Sequence, residues 1–150
     1  MPLWQPGMDI TDSRLNAVAG EWTSYSASLS GTTLGTGGTL QTRYQKTQDR
    51  VLMAFTLGWG SGTTGNMPAI GLPVAPTSLG GMRWSGVLML SRGTGTWRSG
   101  FMYLADSSST VATYALYGSS GEVTSNLTTA GITMTAGGWI AGQIEYEVDV

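Results

Sequence analysis

Apolar and polar residues alternate along much of this chain, in short runs closed by glycine. The clearest run is Trp139 to Val148, where Ile140, Ile144, Tyr146 and Val148 fall on one parity and Gln143, Glu145 and Glu147 on the other. A period of two belongs to a strand with one face against a core. Leu40, Thr42 and Tyr44 alternate in the same way with Gln41, Arg43 and Gln45, and Tyr25, Ala27 and Leu29 alternate with serines. Arg50 to Leu57 (RVLMAFTL) is apolar almost throughout, the pattern of a strand buried on both faces. Ala69 to Leu72, between Pro68 and Pro73, is a short strand; Arg83 to Leu90, Phe101 to Leu104 and Thr110 to Tyr117 complete the set. The turns between them are glycine-rich: Gly35-Thr36-Gly37-Gly38, Gly93-Thr94-Gly95 and Gly118-Ser119-Ser120-Gly121. About eight short strands with such turns predict an all-β fold, an antiparallel, jelly-roll-like β-sandwich, with an up-and-down barrel as the rival. No repeat of fixed period points to a solenoid.

Residues 1–20 follow a different pattern. Trp4, Pro6 and Gly7 suggest an extended arm. Thr11 is placed to cap a short helix, with Asp12 in its first turn, Gly20 as its stop, and Leu15, Val18 and Ala19 on one face. A helix of about two turns is unstable alone, so this segment is expected to dock on something else. The chain therefore divides into an N-terminal anchoring arm with a short helix, 1–20, and a β-sandwich domain, 21–150, with Trp4, Pro6, Leu15 and Val18 as the expected anchors.

Composition narrows the function. A chain of 150 residues, 41% hydrophobic, suits one folded domain rather than disorder. Only 11% is charged, so Ser, Thr, Gly, Asn and Gln must carry most of the surface. The seven basic residues (Arg14, Arg43, Lys46, Arg50, Arg83, Arg92 and Arg98) are scattered and the net charge is −2, so no phosphate-tracking patch is expected and nucleic acid is not a partner. Cysteine is absent, which removes disulfides and thiolate chemistry; oligomerisation is one alternative staple. Histidine is absent too, and with it the usual general base and the commonest metal ligand. No apolar run reaches the ~18 residues of a membrane span. Met1 to Gly7 lacks the basic and apolar regions of a secretory leader, so a protein working outside a cell is expected to leave by another route, of which lysis with an assembled particle is one.

Candidate chemistry is sparse. The glycine clusters lack a following Lys-Ser or Lys-Thr and read as hairpin turns rather than phosphate loops. Glu145 and Glu147 share one face of a strand at roughly 7 Å, near a glycosidase spacing, but such neighbours ordinarily face solvent or a partner. Asp49, Asp106 and Glu122 lie beside turns with no catalytic partner apparent in the sequence, and Lys46, the sole lysine, sits in a polar stretch with no activated serine indicated. No catalytic residue, cofactor or metal is expected, and the chain reads as a non-enzyme. Six tryptophans are many for this length. Trp59, within Gly58 to Gly62, and Trp97, beside a turn, are the candidate glycan contacts; the alternative for any of the six is packing in a core or subunit seam. Asn126-Leu127-Thr128 matches a glycosylation sequon that the missing leader makes accidental. The eight methionines, Met53, Met82, Met89 and Met102 among them, are expected to fill the core.

Three stretches together resemble a known family. The first is Trp4-Gln5-Pro6-Gly7-Met8-Asp9-Ile10-Thr11 followed by Arg14-Leu15-Asn16. The second is Trp22-Thr23-Ser24-Tyr25, then Leu40-Gln41-Thr42-Arg43-Tyr44, then Val51-Leu52-Met53-Ala54-Phe55. The third is Ile70-Gly71-Leu72-Pro73-Val74. This order is similar to that of short virion surface proteins of actinobacterial phages, the minor tail and fibre-like β-domains. The family has Gly before its Arg-Tyr where this chain has Thr42, and the resemblance spans roughly the first half of the chain. It implies a compact β-domain, often a homotrimer, displayed on a virion, with tail or major capsid protein and a host-surface glycan as partners. A minor tail protein in host attachment is the first expectation, a capsid decoration protein the alternative, and a carbohydrate-binding module the reading of another class.

Overall fold

The computed structural model describes residues 20–78, 80–91, 97–117, 122–127 and 129–149. The expected arm and helix, with Trp4, Pro6, Leu15 and Val18, lie outside the described residues, as do the turns at 93–95 and 118–121. The strands are β1 (Thr23–Ser24), β2 (Leu29–Thr33), β3 (Thr39–Thr47), β4 (Arg50–Gly58), β5 (Thr64–Gly71), β6 (Arg83–Ser91), β7 (Trp97–Ala105), β8 (Thr110–Tyr117), β9 (Glu122–Thr124) and β10 (Trp139–Glu147). They pair antiparallel in the order β1-β3-β4-β10-β6-β7-β8-β5-β2, with β9 beside β8. The chain is thus all-β and antiparallel, as the alternation predicts, and the strands form one sheet curled into a half-barrel. Seven of the expected strands recur, Thr110 to Tyr117 with the same ends and six with shifted ones. The first, around Tyr25 to Leu29, is instead mostly the link between β1 and β2, and β9 is additional.

That division closes the curl. The Tyr25 amide donates to Thr42 O on β3, while Ser28 O accepts from Gly71 N on β5. One segment, Thr23 to Thr33, therefore spans from one outer strand of the sheet to the other. Buried threonines reinforce the tie. Thr42 Oγ1 donates to Tyr25 O, Thr32 Oγ1 to Asn66 O, and Thr113 Oγ1 to Pro68 O. The Tyr25 hydroxyl donates to Gly71 O at 2.9 Å and Tyr146 to Val74 O at 2.9 Å, and burial pushes both phenols well above the usual tyrosine range.

Register decides what faces inward. Across β3, β4 and β10, the trios Leu40–Leu57–Ile140 and Tyr44–Met53–Ile144 point into the curl. Leu88, Leu90, Met102, Leu104, Val111 and Ile70 meet them there, and all are buried. As expected, Ile140, Ile144, Tyr146 and Val148 belong to the core while Gln143, Glu145 and Glu147 face away. Two expectations need correction. β4 is not buried on both faces: Val51, Met53, Phe55 and Leu57 are buried, but Leu52 and Ala54 are half-buried and Thr56 is exposed, because no second layer among the described residues covers that side. Met53 and Met102 fill the core, whereas Met82 and Met89 are exposed.

Glycines admit the curl where facing strands come closest. A Cβ on Gly86 would lie 2.2 Å from Gln143 O and 2.9 Å from Ile144 Cα, so β6 touches the backbone of β10 at that point. The two strands pair from Trp139↔Ser91 to Gln143↔Val87, and the pairing stops there, at the residue that follows Gly86 in the chain.

Two glycine-rich loops interlock at one end. Thr36 and Ser61 exchange backbone hydrogen bonds, and Gly38 N donates to Gly35 O. Thr63 Oγ1 accepts from Gly35 N at 3.1 Å and Gly60 N at 3.0 Å while donating to Gly60 O at 2.9 Å. The amides of Gly35, Thr36, Gly38, Gly60 and Ser61 are thereby engaged inside the fold, which agrees with the turn reading and leaves them unavailable to a phosphate.

Candidate functional site

The outward parity of the sheet divides into two halves of different chemistry. Over one end of β10, β6, β7 and β8, short of the charged outward positions Glu145, Glu147 and Arg83, it presents three rows: Trp139, Ser91 and Trp97; Ala141, Met89 and Ser99; Gln143, Val87, Phe101 and Tyr114. None of these residues is charged. Val87 is 65% exposed, Met89 48% and Trp97 55%, while Trp139, Phe101, Tyr114 and Ala141 are half-buried. Val123 on β9 is exposed as well.

Aromatic contacts hold this half in shape. Trp97 and Trp139 meet edge to face at 5.1 Å between centroids, with Ser91 between them in the row. Phe101 and Tyr114, directly opposite on β7 and β8, stack at 5.1 Å with planes 15° apart. Both are favoured arrangements of ring pairs. The result is a firm apolar surface, of the kind that marks an interaction site rather than scattered exposed side chains. It arises because β6 and β7 carry apolar residues on both parities: Leu88, Leu90, Met102 and Leu104 serve the core, leaving Val87, Met89 and Phe101 outside.

On β3 and β4 the same outward rows continue as Gln41, Thr56, Arg43 and Ala54. Here lies a groove of about 570 Å³ lined by Ser24, Gln41, Arg43, Ala54 and Thr56, with Tyr25, Leu40, Thr42 and Phe55. Trp22, 44% exposed, stands beside it with the Arg43 guanidinium 4.5 Å from its ring centre. A smaller depression, about 230 Å³, lies among Arg50, Trp84, Glu145, Tyr146 and Glu147. There Arg50 Nη1 donates to Glu145 Oε1 at 3.0 Å in full solvent, a pair of little energetic weight that raises the arginine's pKa further.

Of the sequence candidates, Trp97 stands on the apolar half. Trp59 does not reach the surface. It is 3% exposed, its backbone pairs with Gly137 and Gly138, and a Cβ on Gly138 would lie 2.6 Å from its ring. The 135–138 turn covers it, so Trp59 packs in the core and cannot stack on a sugar. Sequence reasoning did not pick out Trp22, Val87, Phe101, Tyr114 or Trp139 as surface residues. Their parity is set by strand register, which local pattern leaves open when both parities are apolar. Among the described residues no group of three or more acidic side chains gathers to hold a metal ion, and no helix is long and apolar enough to cross a membrane. Comparison with known protein families, curated proteins and solved structures gives no match for this chain.

Proposed function

We propose that this chain is a non-enzymatic structural protein displayed on the surface of a phage virion, a minor tail or fibre-like component that assembles as a homotrimer through the apolar half of its sheet. The observation that carries this reading is the uncharged face built from Val87, Met89, Trp97, Phe101, Tyr114 and Trp139. Burying one such side chain contributes about 1.5–3 kcal/mol, so a handful of them in each copy favours association strongly. Met and Val offer no hydrogen bonds, and a dry protein surface suits them better than a sugar or a phosphate. In a closed trimer each face meets its neighbours around the axis, leaving the polar half outward. The curled sheet is in this reading a jelly-roll-like sandwich body. β3, β4, β10 and β6 form one layer and β8, β5 and β2 the other, an arrangement supported by Phe55 and Ile144 sharing one core with Ile70 and Val111.

The resemblance of the first half to tail and fibre-like virion proteins supports display on the tail; capsid decoration is the alternative placement. An antibody raised against the folded chain tests both on intact particles of a phage that encodes it. Gold label at the tail is the expected result, label over the capsid selects decoration, and unlabelled particles contradict the virion reading. Carbohydrate recognition, the reading of another class, is favoured by a separate feature, the polar groove beside Trp22.

A further inference from the structure

The geometry points to the groove on the outer face of β1, β3 and β4 as an oligosaccharide-binding site, with Trp22, at its rim beside the lining residue Arg43, as the stacking platform. Its volume, about 570 Å³, falls within the range of small-molecule clefts, about 300–1,000 Å³. It is open along the sheet rather than closed over, which suits a chain-like ligand passing through. Ser24 from β1, Gln41 from β3 and Thr56 from β4 bring hydroxyl and amide donors and acceptors to one side, over a floor that Ala54 keeps low, and Tyr25, Leu40, Thr42 and Phe55 complete the lining. Sugars need this combination of neutral polar partners and one flat apolar face.

Trp22 supplies that face. It shares the outward parity of Ser24, which pairs with Arg43, and the Arg43 guanidinium lies over one side of the indole at 4.5 Å. Such stacking holds the ring in place, so less motion is lost when a ligand packs against it. Among the described residues, Arg43 is the charged residue of the lining and no carboxylate is part of it. The ligand is therefore neutral or carries carboxylates, as uronic-acid sugars do; a cationic ligand finds no counter-charge. This site is independent of the apolar half on β10, β6, β7 and β8, so binding here does not rest on self-association.

The test starts from an array of neutral and uronic-acid oligosaccharides probed with the full chain. Calorimetric titration of the tightest array sugar follows, against wild type, Trp22→Ala, Trp22→Tyr and Arg43→Gln, each checked for native circular dichroism. Expected are array binding, a loss of about tenfold or more in affinity for Trp22→Ala, and partial retention for Trp22→Tyr. Arg43→Gln should weaken uronic-acid ligands more than neutral ones, and it tests the groove even if the Trp22 variants fold poorly. No binding across the array overturns the proposal. So does binding that survives Trp22→Ala and Arg43→Gln but is lost in Trp97→Ala, which would move the site to the apolar half. Sugar binding by a monomer keeps this site and removes the seam; a trimer that ignores the array does the reverse.

Discussion

Gly86→Ala should cost the fold about 3 kcal/mol or more, whereas Gly142→Ala should cost about 1 kcal/mol or less. The two substitutions add the same methyl group to the inner side of the same sheet. They differ in what the methyl meets. At Gly86 it lies 2.2 Å from Gln143 O, 2.7 Å from Ile144 Cβ and 2.9 Å from Ile144 Cα, so relief requires β6 to move away from β10. At Gly142 the backbone contact is looser, Val87 O at 3.0 Å, which need give only a few tenths of an ångström, and the closer contacts, Met102 Sδ at 2.7 Å and Leu88 Cδ1 at 2.9 Å, are the far ends of two flexible side chains. Those can rotate, and the lower entropy of the unfolded alanine chain offsets about 0.4–1 kcal/mol of what remains. Denaturant midpoints at neutral pH measure both. Equal losses would mean that backbone contact does not set the curl.

Thr63→Val is expected to destabilise the chain by about 3–5 kcal/mol, with Thr63→Ser losing about 1 kcal/mol. Valine keeps the shape but strips the hydroxyl on which the interlocked loops converge. Gly35 N and Gly60 N would lose their partner, and Gly60 O would keep only the Thr63 amide at 3.3 Å. An unpaired buried polar group costs about 1–3 kcal/mol, and water cannot easily replace the hydroxyl where a Cβ on Gly35 would already lie 2.0 Å from Ser61 O. Equilibrium unfolding of the three forms decides it, and a valine variant as stable as the serine one would contradict the account.

Much of the fold was legible in the sequence where one face is polar. The 139–148 run sorts its residues inward and outward as its alternation predicts, and so does Leu40 to Gln45. The continuous run at 50–57 misled, since near-uniform apolarity fits two covered faces as well as one covered face beside small residues such as Ala54. The apolar surface was hidden for a related reason. Within Arg83 to Leu90 both parities are apolar, and only pairing with β10 and β7 assigns Leu88 to the core and Val87 to the outside. Trp59 and Trp97 show the limit of local reading. Both lie beside glycines, yet one is sealed by a turn more than seventy residues downstream and the other stands on the open sheet. Trp22 gave no local signal either; its place depends on β1 pairing with Arg43 and Tyr44, twenty residues on.

The mass of the full chain in solution tests the central claim most directly, measured by light scattering after size exclusion beside a Val87→Lys, Met89→Lys double variant. Lysines at these exposed positions leave the core intact but place charge in the seam. The account predicts three times the 15.7 kDa of one chain for the wild type and a folded single chain for the double variant. A wild type that runs as one chain, or a double variant that assembles unchanged, would contradict it.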